Sequence, residues 1–159
     1  MRIPLAVLVA ALVSLVGAQG AAAAAPTRET VHANPQFVVG ECSGDAIQAT
    51  FDVTRVITTW YDHAGNPVRR LVHAEIPGTL TNLDTGATLQ TTGVRILRFD
   101  LVNGGSTSTG TNVHVVLPGE GTLQLVAGHV VVDDQGEVVA ENGRLDGDLP
   151  PEVCAALTS

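Results

Sequence analysis

Residues 47–62 alternate apolar and polar side chains, and this pattern constrains the fold more than any other feature of the chain. Successive side chains of a β-strand point to opposite faces, with a period of two residues. One face of the segment collects Ala49, Phe51, Val53, Arg55, Ile57, Thr59 and Tyr61. Because the other face is mostly polar, the segment predicts a long, half-buried strand of an antiparallel sheet.

Segments of the same kind recur along the chain. The predicted strands cover residues 36–39, 47–62, 68–76, 79–83, 87–92, 94–102, 109–117, 122–127, 129–133 and 137–141. Clusters of Gly, Asn, Asp and Pro between them are typical of tight turns. Apart from the N-terminal apolar run, no segment of ten or more residues between the turns shows helical periodicity, and residues 152–157 form one possible helical turn. We therefore predict an all-β, antiparallel up-and-down barrel of about eight strands, preferred to a sandwich because closure removes the exposed edges.

The N-terminal segment has the layout of a secretory signal peptide. Arg2 precedes an apolar run over residues 3–16, and small residues continue to Ala25. The run is shorter than the roughly 20 residues that span a bilayer, which argues against a membrane anchor. We predict a signal peptide over residues 1–25, a flexible lead-in over 26–35 and a β-barrel domain over 36–159. The mature protein is then secreted, without stable membrane insertion.

Charge and cysteine content narrow the classes of partner. The net charge is −8 and every basic residue is Arg, which argues against binding to nucleic acid or to anionic lipid. Two cysteines, Cys42 and Cys154, lie near the two ends of the predicted domain. In an exported chain such a pair predicts a disulfide bond, whereas a metal site would require closer Cys and His spacing.

Arg55 interrupts the apolar face of the long strand and is the most informative single residue. A guanidinium group is costly to bury unless it is paired and hydrogen-bonded. One interpretation is that Arg55 points into the barrel and binds the acidic group of a ligand. The alternatives are a structural ion pair with Asp100 or Glu75, and a position from which the charged head reaches water.

Two histidines add to the candidate ligand-binding residues. His73 and His114 lie within predicted strands, and the spacing of His73 and Glu75 places both side chains on one strand face. If these groups converge with Arg55, they form a ligand-binding or acid–base site; the alternative is ordinary hydrogen-bonded histidines. No spacing is diagnostic of metal ligands, and the Gly-rich turns precede no helix that would bind phosphate. No metal, cofactor or catalytic residue is therefore assigned.

Several segments together are similar to a known family. They are Cys-Ser-Gly-Asp-Ala-Ile at 42–47, Val-Thr-Arg at 53–55, Asp-His-Ala-Gly-Asn-Pro-Val-Arg at 62–69, His73, Gly-Thr-Leu-Thr-Asn at 78–82, Thr-Gly at 85–86 and Pro-Gly-Glu-Gly at 118–121. The chain resembles a family of uncharacterised secreted actinobacterial proteins over nearly all of its predicted mature length. This resemblance implies export but no particular activity. Residues 118–143 also resemble the Gly-rich hairpins of allene oxide cyclase and dirigent barrels, which implies a barrel with a ligand-sized interior.

Three functions are compatible with these observations. The first is a binding protein that holds a small apolar or weakly acidic molecule in the barrel, with Arg55 as its anchor. The second is a cofactor-free cyclase or isomerase that uses Arg55, His73 and Glu75. The third is a structural or interaction module with a filled core. A cavity of roughly 300 Å³ or more favours ligand binding, and a pair of titratable groups within it favours an enzyme.

Overall fold

The computed structural model of the chain describes residues 24–117 and 121–159. The predicted signal peptide lies almost entirely outside these residues, as does most of the predicted turn at 118–121. None of the helical structure in the described residues has the length and hydrophobicity needed to cross a bilayer.

The described residues form one antiparallel sheet of ten strands, followed by a short helix. The elements are β1 (Thr27–Ala33), β2 (Gln36–Cys42), β3 (Asp45–Phe51), β4 (Val53–Tyr61), β5 (Pro67–Glu75), β6 (Gly78–Asn82), β7 (Thr88–Asp100), β8 (Ser106–Leu117), β9 (Gly121–Val132), β10 (Val138–Arg144) and α1 (Pro151–Thr158). The predicted all-β, antiparallel fold is confirmed. The sheet is not closed, because among the described strands no ladder joins the β1–β2 edge to β10.

The strands follow one another in an up-and-down meander. Three pairs of strands are halves of longer strands with short interruptions: β1 with β2, β3 with β4, and β5 with β6. The β7 strand pairs with both β5 and β6 on one side and with β8 on the other, and β9 and β10 continue the sheet. The long strand predicted over residues 47–62 is therefore observed as β3 and β4, interrupted at Asp52.

The first strand differs from the sequence prediction. A flexible lead-in is expected over residues 26–35, whereas β1 lies there and all of its residues except Ala33 are exposed. Its ladder with β4 runs from Thr27 opposite Thr59 to Ala33 opposite Val53. Because this strand is held by backbone pairing and buries little side-chain surface, it leaves no hydrophobic periodicity in the sequence.

The buried side chains gather on one face of the sheet, which we name the concave face because the sheet curls around α1. The helix contacts β2, β6, β7 and β9, which are far apart in the strand order. The hydrophobic core consists of Cys42, Ile47, Ala49, Phe51, Val53, Leu80, Leu89, Val115, Val153 and Leu157. Ala49, Phe51 and Val53, the first part of the apolar face predicted for residues 47–62, belong to this core. The opposite, mostly polar face is the convex face.

The C-terminal segment, residues 145–159, fills one end of the concave face. Val153 and Leu157 are four residues apart on one side of α1 and are fully buried, each contributing about 1.5–3 kcal/mol of hydrophobic stabilisation. Upstream, Leu145 packs so closely over Gly128 that a Cβ there would lie 2.7 Å from Leu145 Cδ2. Gln124 Nε2 donates a hydrogen bond to the carbonyl of Asp148 at 3.1 Å, which ties the segment to β9.

A disulfide bond joins this segment to β2. Cys42 and Cys154 are bonded, with their Cα atoms 5.2 Å apart, although they are separated by 112 residues in the sequence. The predicted cysteine pair is therefore present in the structure. The bond connects the edge strand β2 to a helix that also contacts β9, so the two sides of the open sheet are held together at this end.

A buried amide secures the end of α1. Asn82 is fully buried, and its Nδ2 donates to Asp45 Oδ2 at 3.0 Å and to the carbonyl of Leu157 at 3.2 Å. Its Oδ1 accepts the N–H groups of Asp84 and Thr85, at 2.9 and 3.1 Å. One side chain thus organises the turn after β6 and orients the helix against it.

The first prediction concerns this amide. Asn82→Leu should lower the free energy of unfolding by about 1–3 kcal/mol, the usual cost of leaving buried polar groups without partners. Urea unfolding followed by circular dichroism measures the change. Thr81→Val, on the other face of β6, is the matched control and should stay within about 0.5 kcal/mol of wild type. Equal losses in the two variants would contradict the role assigned to Asn82.

The second prediction concerns the disulfide bond. Replacing both cysteines, as Cys42→Ser with Cys154→Ser, should lower the free energy of unfolding by about 2–4 kcal/mol, because the bond restricts the unfolded chain. Limited proteolysis should also cut residues 145–159 faster. Dithiothreitol should destabilise wild type and leave the double variant unchanged; sensitivity of the variant to the reductant would argue against this explanation.

Candidate functional site

The candidate site is an open groove of about 420 Å³ at the end of the sheet opposite α1. It lies where β5 begins, β7 ends, β8 begins and β9 ends. Its apolar lining residues are Val68, Phe99, Val131 and Val132, and its charged lining residues are Arg69, Arg98, Asp100 and Asp133. A volume of this size is within the range of small-molecule sites.

The strand register explains how both faces of the sheet contribute to the groove. Phe99 is opposite Ser106, and Ser106 is opposite Val132, so these side chains share the concave face. One residue away along the strands, Arg98 and Thr107 lie opposite each other on the convex face. Because the groove is at the strand ends, it is lined by neighbouring residues that point to opposite sides.

Two glycines in the turn between β7 and β8 form one wall of the groove. Gly104 and Gly105 have φ angles of 82° and 81°, a region that residues with a Cβ rarely adopt. A Cβ on Gly104 would lie 2.6 Å from Asp134 Cβ, and a Cβ on Gly105 would lie 2.7 Å from the carbonyl oxygen of Val132. Glycine is therefore required for this turn to approach the one that follows β9.

The carboxylates of the groove are engaged in their own turns. Asp100 accepts hydrogen bonds from the backbone N–H and the side chain of Asn103 and from the N–H of Val102, which together lower the pKa of Asp100 below its usual 3.8. Asp133 Oδ1 accepts the N–H groups of Gln135 and Glu137, both at 2.9 Å. These carboxylates stabilise the walls of the groove.

Arg69 is oriented by an aromatic partner. Its guanidinium carbon lies 4.1 Å from the centroid of the Trp60 ring, and the two residues are opposite each other in the β4–β5 ladder. A cation over an indole face gains roughly 0.5–1 kcal/mol at an exposed site. On its other side Arg69 is opposite Asp100. The arginine is thus positioned at the groove by Trp60.

Arg55, the first candidate from the sequence, lies elsewhere on the sheet. It is exposed on the concave face, opposite Val31 on one side and Ala74 on the other. Asp100 and Glu75, proposed as ion-pair partners, belong to the convex face. They therefore lie across the sheet from Arg55, and the exposed head matches the alternative in which the charge reaches water. Arg55 does not line the groove.

The remaining candidates lie on the convex face. His73 and Glu75 share that face on β5, as their spacing predicts. His114 is on β8, separated from them by β7, and its Nε2 is 3.1 Å from Thr122 Oγ1. The structure therefore places His73, Glu75 and His114 on one face of the sheet and Arg55 on the other. Over residues 24–117 and 121–159, no three His, Cys, Asp or Glu side chains are placed to hold a metal ion.

Apart from Asp100, a candidate ion-pair partner of Arg55, the groove residues are not among the candidates predicted from the sequence, although a signal for them exists. The turns after β4, β7 and β9 each begin with an aspartate that accepts backbone N–H groups within the turn: Asp62, Asp100 and Asp133. Alternate turns of an up-and-down meander lie at the same end of the sheet. Repeated aspartate-led turns thus mark the strand ends that form the groove.

The third prediction follows from these aspartates. The side chain and N–H of Asn66 lower the pKa of Asp62, as Asn103 and Val102 lower that of Asp100. A lowered carboxyl pKa contributes stability above its usual value of 3.8, and this contribution is lost as the pH falls through the folded-state pKa. Asp100→Asn should therefore destabilise the protein at pH 7 and progressively less below pH 3.8. Urea unfolding of both proteins from pH 7 to pH 2.5 measures the difference in their free energies of unfolding. A difference that does not change with pH would contradict the stabilising role of the Asp100 carboxylate.

Comparison of the chain with models of protein families, with curated proteins and with solved structures found no match. The resemblances described from the sequence therefore stay predictions. The candidate site is defined by the chain's own geometry.

Proposed function

We propose that the protein is an exported, non-enzymatic binding protein that holds a small, largely apolar and weakly acidic molecule in the groove. The observation that carries this proposal is the combination of a volume of about 420 Å³ with an apolar lining residue, Val131, on the same face as Arg69 and Arg98. Small-molecule sites typically combine a predominantly apolar lining with a few placed polar groups.

The open end of the sheet is the site of binding in this proposal, in place of a closed barrel interior. The concave face near α1 is filled by the core side chains, including Ile47, Leu80 and Val115. The groove at the other end is bounded by turns and opens to solvent. A ligand can therefore reach it without displacing any part of the core.

Binding is favoured over catalysis by the state of the groove carboxylates. A proton-transfer pair requires a titratable group that is free to exchange a proton with the substrate. Asp100 and Asp133 instead accept hydrogen bonds from their own turns. Export is supported by the Cys42–Cys154 bond, since disulfide bonds persist mainly in oxidising compartments.

A second candidate function is a structural or interaction module, which is favoured by the filled core around α1. Under this alternative the groove is a surface feature without a ligand. The two candidates therefore differ in whether occupying the groove changes the binding of small molecules.

The fourth prediction separates these functions. Naphthalene-2-carboxylate, an apolar weak acid that fits the groove volume, should bind the wild-type protein saturably in isothermal titration calorimetry. Val131→Trp fills the groove with a larger side chain on the face of the two arginines and should weaken binding by at least about tenfold, equivalent to about 1.4 kcal/mol. Backbone amide shifts of the groove residues in NMR spectra should follow the titration.

Val139→Trp is the matched control, because Val139 is exposed on β10 and does not line the groove. It should bind as wild type does. Absence of saturable binding, or equal weakening in both tryptophan variants, would remove the groove proposal and leave the module. The Arg55→Gln variant tests the anchor predicted from the sequence. If the ligand binds in the groove, this variant should bind naphthalene-2-carboxylate with the wild-type affinity.

A further inference from the structure

The Trp60–Arg69 pair provides more than a positive charge near the groove. Trp60 is partly buried and does not line the groove, whereas Arg69 lines it and has its guanidinium carbon 4.1 Å from the indole centroid. The guanidinium is planar and presents a fixed fork of N–H donors that matches a carboxylate. Stacking on the indole limits the orientations of this fork, so that less conformational entropy is lost when an anion binds.

A second arginine lies beside the first. Arg69 is opposite Asp100 in the β5–β7 ladder, and Arg98 precedes Asp100 by two residues on the same face. Diagonal neighbours of this kind have their Cβ atoms about 7–8 Å apart, within reach of long side chains. Two guanidinium groups can therefore approach one anionic group at the mouth of the groove.

The nearest carboxylate does not take the place of a ligand. Asp100 Oδ1 accepts the N–H groups of Val102 and Asn103, both at 2.9 Å, and its Oδ2 accepts Asn103 Nδ2 at 2.8 Å. These hydrogen bonds tie the carboxylate to the turn after β7. Each guanidinium carries five N–H donors, so Arg69 and Arg98 can bind an incoming anion even though the chain as a whole carries a charge of −8.

We propose that the groove selects planar aromatic carboxylates, with the carboxylate bound by Arg69 and Arg98 and the ring packed against Val131, which lies on the same convex face. Trp60 is a positioning residue that acts through Arg69. This inference rests on the proposed function and adds to it the chemical class of the ligand. The apolar side chain of Val131 beside the two arginines gives the ring a surface to pack on.

The fifth prediction compares naphthalene-2-carboxylate with naphthalene-2-carboxamide, which has nearly the same shape but no charge. Wild type should bind the carboxylate about 10–100-fold more tightly, since hydrogen bonds to a charged group are stronger than those to a neutral one. Arg69→Gln and Trp60→Leu should each reduce this preference by at least about fivefold. The affinity for the carboxamide should change by less than about twofold in both variants.

Two further variants separate the positioning role of Trp60 from a packing role. Trp60→Phe retains an aromatic face and should restore most of the preference for the carboxylate, whereas Trp60→Leu retains only apolar bulk. Arg55→Gln, on the other face of the sheet, should keep the wild-type preference. Circular dichroism and urea unfolding of each variant confirm that it is folded before affinities are compared.

The outcomes distinguish this inference from the function on which it rests. Equal affinities of wild type for the two naphthalene ligands would overturn the selection for carboxylates and leave binding in the groove intact. Failure of both ligands to bind would overturn the proposed function and this inference with it. Loss of the preference in Arg55→Gln but not in Arg69→Gln would assign the anion to the concave face and refute the role of Trp60.

Discussion

The structure depends on the docking of its C-terminal segment against the concave face of an open sheet. A meander with two free edges has no ladder to hold its sides together, and closure by backbone pairing is absent among the described strands. The contacts of Val153 and Leu157, the amide of Asn82 and the Cys42–Cys154 bond supply this connection instead. Side-chain packing and one covalent bond thus do what a closing strand does in a barrel.

This arrangement gives the two ends of the sheet different properties. At one end the curled strands surround α1, and the space between them is filled by side chains. At the other end the strands terminate in turns led by Asp62, Asp100 and Asp133, whose carboxylates organise the backbone. The groove lies at this second end, where side chains of both faces meet without a filling element. The fold therefore separates its stabilising core from its candidate site.

Much of the sheet could be predicted from the sequence, because a strand with one buried face alternates apolar and polar residues. Ala49, Phe51 and Val53 are buried at the positions that alternation indicates. Closure was predicted wrongly, because whether two edges meet depends on contacts between residues far apart in the chain, which local periodicity does not report. The Trp60–Arg69 pair could not be predicted from local periodicity either. It depends on the exact register of β4 and β5, which includes a shift between Trp60 and Tyr61.

The sequence distance between Cys42 and Cys154 also bears on how the chain reaches its native state. The partners of α1 lie on β2, β6, β7 and β9, so the helix has nothing to pack on until most hairpins have paired. Contacts between such remote residues carry a large loop-closure entropy and form slowly. Assembly should therefore proceed hairpin by hairpin, with oxidation of the two thiols as a late event that traps an already formed sheet.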